Sequence, residues 1–91
     1  MLIRSQDKRM IVNFENICTV SAFPEKDSED IYVEDGTGSL ILGRYSTKAK
    51  AMKVLDMIQE AYCKFMSVKN DDAWNGKESV FYMPEDSEVE V

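Results

Sequence analysis

Four cations crowd one short stretch of the chain: Arg44, Lys48, Lys50 and Lys53. The residues around them read as the first turns of a helix, where the macrodipole already favours negative charge, so their sign is locally wrong for the helix itself. Lysines converging with backbone N–H groups at a helix start are the chemistry of an anion or nucleic-acid phosphate site. The competing reading is a screened surface, or one answered by the acidic loop over residues 25–35. A net charge of −6 and a sequence pI of about 4.5 favour the second reading, since a nucleic-acid module is expected to be basic.

Other reactive combinations are sparse. The chain has no histidine, which removes the commonest general acid/base and the commonest metal ligand together. Cys18 and Cys63 lack CxxC spacing and are too few for a four-cysteine zinc site. They read as two shielded, reduced thiols, Cys18 on a strand face with Val20 and Ala22, Cys63 near the core stripe of a helix. Asp35-Gly36-Thr37-Gly38-Ser39 lacks the lysine and spacing of a phosphate loop and reads as a hairpin turn. Asp27, Glu29, Asp30, Glu34 and Asp35 do not follow the calcium-loop pattern and read as a solvated acidic face. No catalytic residue, metal ligand set or cofactor site is expected, because nothing supplies nucleophile, base and orienting group together.

Partner contacts are the remaining chemistry. Trp74 lies in the polar run Asp71-Asp72-Ala73-Trp74-Asn75-Gly76, where it serves either as a partner anchor or as a lid on the core. Met52, Met57 and Met66 flank the apolar stripe of the helix, as gap fillers or as an adaptable contact surface.

The elements that must position these residues follow from local pattern. Leu2-Ile3-Arg4 and Met10-Ile11-Val12 flank a polar turn, and Ile17–Ala22 alternates as a half-buried strand that Pro24 ends. Residues 25–30 carry no apolar side chain and form a loop. Ile31–Glu34 and Ser39–Leu42 bracket Asp35-Gly36, the strongest hairpin signal in the chain. From about Thr47 to Val68, Ala51, Val54, Leu55, Ile58, Ala61, Tyr62 and Phe65 recur at helical spacing, with Ser46 and Thr47 as caps. Asn70-Asp71-Asp72 stops that helix, Asn75-Gly76 is a second turn, and Ser79–Met83 is a last strand ended by Pro84.

This order predicts an α+β fold: a mainly antiparallel, curled or barrel-like sheet of four to six strands with one long amphipathic helix. With 91 residues, 44% of them apolar, there is room for a single domain over residues 1–84, followed by a frayed acidic tail over 85–91. Apolar runs such as Leu40-Ile41-Leu42 are far short of a membrane span, and polarity arrives too early for a secretory leader. A cytoplasmic location and no membrane contact are expected. Charge is blocky, with basic residues 1–14 and 44–70 alternating with acidic 15–43 and 71–91.

The opening Met1-Leu2-Ile3-Arg4-Ser5-Gln6-Asp7, the stretch Leu42-Gly43-Arg44-Tyr45-Ser46-Thr47 running into Ala51–Ile58, and the ending Val80-Phe81-Tyr82-Met83-Pro84 resemble a group of short proteins of Gram-positive bacteria and their phages or mobile elements. That group has no assigned activity. The resemblance spans most of the chain, implies a bacterial cytoplasmic setting and transfers no functional residue. The expected function is a non-enzymatic protein-interaction or small regulatory module, its partner another protein or a second copy of itself. It would use an exposed strand edge, Trp74 and the flanking methionines; the alternative is anion or nucleic-acid binding at the basic helix start.

Overall fold

Two short runs of alternating residues near the start pair with a third near the end. The computed structural model describes residues 1–68 and 79–91. Strand β1 (Leu2–Arg4) pairs antiparallel with β2 (Ile11–Asn13), placing Ile3 opposite Val12. The turn between them is tied by Ser5, whose hydroxyl donates to Asp7 Oδ1 at 2.7 Å and accepts from the Met10 N–H at 3.1 Å.

A second antiparallel sheet holds β3 (Thr19–Pro24), β4 (Glu29–Glu34) and β5 (Ser39–Tyr45) in that order. Its β4–β5 hairpin turns at Asp35-Gly36, where Gly36 has φ +95° and the Asp35 carboxylate accepts from the Thr37 N–H and hydroxyl. Glycine adopts that φ without steric cost. The register slips between Ile31 and Tyr32, so Ile31 faces Gly43 while Tyr32 faces Ile41. Leu42 is the extra residue, and the bulge turns both Leu42 and Gly43 inward.

Helix α1 (Lys48–Val68) begins where the Thr47 hydroxyl accepts from the Lys50 N–H at 3.1 Å. Its buried stripe of Ala51, Val54, Ile58 and Phe65 packs on the second sheet. Tyr62 stacks between Phe14 and Phe65, with ring centroids 5.0 and 6.2 Å away. No helix among the described residues is long and apolar enough to cross a membrane.

Strand β6 (Val80–Tyr82) returns to lie parallel to β1, Ile3 opposite Phe81. The fold is therefore α+β. Its described strands form two three-stranded sheets, β2-β1-β6 and β3-β4-β5, in place of one curled sheet or barrel.

Gln6 joins the two sheets. Its N–H donates to Leu42 O at 2.8 Å, its side-chain oxygen accepts from the Arg44 N–H at 2.9 Å, and its side-chain nitrogen donates to Arg44 O at 3.0 Å. The amide of one side chain thus stands in for a neighbouring strand along the outer edge of β5. Gly43 makes room for it, since a Cβ there would lie 3.2 Å from both Gln6 Cβ and the Tyr45 ring.

Four expectations need correction. The loop over 25–30 is shorter than its composition suggests, since Glu29 and Asp30 already belong to β4, and Asp30 is buried at 1% exposure rather than part of a solvated face. The segment after Pro84 is not a frayed tail: Asp86–Glu88 form a 3₁₀ turn and Val89 is 5% exposed within the core. The thiols are not shielded. Cys18 falls just before β3 and is exposed, and Cys63 lies on the wet side of α1 beside Asp56, Gln59 and Glu60. At 100° per residue it sits about 120° from Ala51, off the stripe. The third strand also runs later than its alternation suggests, with Pro24 as its last residue opposite Glu29, which an edge strand tolerates.

Candidate functional site

Each cation of the helix start has a definite place. Arg44 lies on β5 opposite Asp30 of β4, its Nε 3.5 Å from Asp30 Oδ2. The arginine is 67% exposed and the aspartate 1% exposed. Ser28 donates to Asp30 Oδ1 at 2.7 Å, whereas Oδ2 accepts no hydrogen bond and depends on the arginine for compensation. Lys50 turns toward the chain's end: its Nζ donates to Asp86 O at 2.9 Å and lies 3.4 Å from Asp86 Oδ2. The other oxygen of that carboxylate accepts from the Ser46 N–H at 2.7 Å. That N–H is the main cause holding the Asp86 carboxyl below its ordinary pKa; partial burial opposes it and Lys50 adds to it. The position a foreign anion would take beside Ser46 and Lys50 is filled by Asp86. Lys48 and Lys53 remain exposed.

The methionines do not form one patch. Met52 and Met66 are exposed but stand fourteen residues apart, about 21 Å along the helix, and Met57 is half-buried. Trp74 and the turn signals at Asn70–Asp72 and Asn75-Gly76 lie outside the described residues.

The structure reveals a surface that local reading missed. Residues directly opposite one another in a sheet share a face, so the register of β2-β1-β6 defines two rows: Ile11–Arg4–Tyr82 and Asn13–Leu2–Val80. Ile3, Val12 and Phe81 fill the other face and pack inward. On the outer face Ile11 is 53% and Tyr82 60% exposed on either side of Arg4, with Leu2 also exposed in the second row. Arg4 is steadied by donating from Nε to Lys8 O at 2.9 Å, and Lys8 Nζ stands 5.8 Å from the centre of the Tyr82 ring. Lys8 holds φ +68°, an uncommon conformation for a side chain of this type, and it closes the turn that brings its ammonium to Tyr82. None of the six face positions is acidic, in a chain of net charge −6. Three-residue strands are too short for alternation to declare a face, and the β1–β6 pairing joins opposite ends of the sequence. Only the register could have shown this surface.

A hollow of about 190 Å³ between β2 and the β4–β5 hairpin is floored by Val12, Ile17, Val33 and Leu40. Its titratable group is Asp35, whose carboxyl is held below the ordinary range first by the Thr37 hydroxyl and then by the Thr37 N–H. A carboxylate committed to its own turn is poorly placed to move a proton. Tyr45 is buried with its hydroxyl donating to Pro84 O at 2.8 Å, and burial pushes its pKa well up, helped by Glu85, Asp86 and Glu88. Among the described residues no three His, Cys, Asp or Glu side chains gather as a metal site.

No protein-family model, curated relative or solved structure matches the chain.

Proposed function

We propose that the chain is a non-enzymatic protein-interaction module of a small regulatory kind, docking its partner on the open face of the β2-β1-β6 sheet. The observation that supports this is the row Ile11–Arg4–Tyr82: two large apolar side chains, each more than half exposed, flanking a steadied guanidinium. Isolated exposed apolar residues need no explanation, but a contiguous group centred on tyrosine and arginine has the composition of an interface core. Arg4 and Lys8 on an otherwise acidic molecule favour an acidic partner, since complementary potentials speed and orient docking. The partner expected is a protein whose contact segment mixes carboxylates with apolar side chains.

Affinity capture from the native cell with wild type and with an Ile11→Asp/Tyr82→Asp double variant tests the reading. The variant should melt like wild type and lose the captured protein. If the same partner is retained at full yield by a folded variant, the sheet face is not the docking surface.

A further inference from the structure

Among the described residues two open sheets leave four edges, and three of them are guarded. Strands β2 and β6 are three residues each, too short to template another chain. The outer edge of β5 is occupied at Leu42 and Arg44 by Gln6. Strand β3 differs on every count. It runs six residues, and among the described residues no strand or side chain bonds to its outer edge. Thr19-Val20-Ser21-Ala22-Phe23 carries no charge, no proline and no bulge, the devices by which edge strands usually avoid pairing; Pro24 only closes its end.

We infer that β3 pairs antiparallel with β3 of a second copy, joining two three-stranded sheets into one of six strands across a twofold axis. The occupant is identified by symmetry: read antiparallel against itself, Thr19–Phe23 brings like faces together and opposes no like charges, a condition that a chain of net charge −6 sets on any contact with its own copy. A twofold normal to the sheet keeps inner faces together, so the axis must pass through a residue rather than between two. Centring on Ser21 sets Val20 against Ala22 of the second copy and Thr19 against Phe23, and leaves Pro24 out of the ladder. Val20 and Ala22 pack toward the core, while Phe23 is exposed beside Tyr32, with ring centroids 6.0 Å apart. The outer pairs are therefore aromatic against β-branched, a favourable cross-strand combination. This surface is separate from the β2-β1-β6 face, and neither reading depends on the other.

Sedimentation of the full chain across a concentration series should show a reversible rise from 10.4 kDa toward twice that mass. Ser21→Lys sets two ammonium groups against each other at the axis and should leave a monomer that melts like wild type. In a Cys18→Ser, Cys63→Ser background, Ser21→Cys should form an interchain disulfide under mild oxidation, because opposed residues at a strand–strand axis lie within disulfide reach. Ser39→Cys, on β5, should not. A chain that stays monomeric to its solubility limit overturns the inference. So does a dimer indifferent to Ser21→Lys, or one that cross-links through Ser39→Cys and not Ser21→Cys.

Discussion

Gly43 is the residue on which the join between the two sheets turns. Its missing Cβ leaves 3.2 Å for Gln6 and for the Tyr45 ring, so Gly43→Ala must displace at least one of them, at a cost of about 1–3 kcal/mol by overpacking. Gly38→Ala meets nothing within 4 Å and should stay within about 0.5 kcal/mol of wild type. Gly36→Ala also meets open space, but its φ of +95° is unsuited to a side chain, so about 1 kcal/mol should be lost through strain alone. Chemical denaturation of the three variants separates close approach from backbone conformation, and equal losses at Gly43 and Gly38 would contradict the packing described. The cysteines give a second test at this scale. Both are exposed and neither is bridged, so a maleimide should add twice to the native protein without unfolding it. Slow labelling that tracks global unfolding would restore the shielded reading that alternation and helical spacing suggest.

At the scale of elements, α1 contributes a buried stripe and the segment after Pro84 contributes a latch. Ile58→Ala removes a side chain 3% exposed at the centre of the helix contact and should cost about 2–5 kcal/mol, enough to unfold a marginal domain. Leu55→Ala, at a half-buried position, should cost less; the order of the two melting temperatures checks the assignment of the face. The latch is electrostatic. Asp86 titrates below the ordinary carboxylate value of 3.8 in the folded chain, beside Lys50 and with Glu85 and Glu88 in the same turn. Its contribution is therefore fully present above the unfolded pKa and is lost as pH falls through the folded one. The stability gap between wild type and Asp86→Asn should be constant near neutrality and close as acid is added below about pH 4. A gap that persists there would mean that the carboxylate charge is not what holds the turn. The helix and the 31–42 hairpin were legible in the sequence because their signals are local: a 3.6-residue stripe, a threonine cap, an Asp-Gly turn. The latch was not, because Ser46 and Lys50 lie 40 and 36 residues from Asp86, and a run of acids with no visible partner reads as solvated.

Over the whole molecule, what sequence conveys well is composition and order, and what it conveys poorly is pairing between its ends. α+β was legible from one amphipathic helix set among strand-like runs. The split into two sheets was not, because it follows from β6 choosing β1 as a parallel neighbour, a contact across nearly the full length of the chain. The candidate site was legible in part: Arg44, Lys48, Lys50 and Lys53 were visible as a cluster and the acidic 25–35 segment as an answer to it, which Asp30 gives to Arg44, but Asp86 as the partner of Lys50 was not. Gln6 has a consequence at this scale too. In the vocabulary of polymerisation, a unit with one reactive end is monofunctional and growth stops at two, whereas a unit with two reactive ends propagates. With β3 open and β5 capped among the described residues, the pairing inferred for β3 makes the protein monofunctional. Gln6→Ala uncovers the N–H and C=O of Arg44 and supplies the second reactive end, so step growth into filaments should replace the dimer, visible as light scattering that rises with time and concentration. The side-chain amide of Gln6 is, in that sense, a chain terminator.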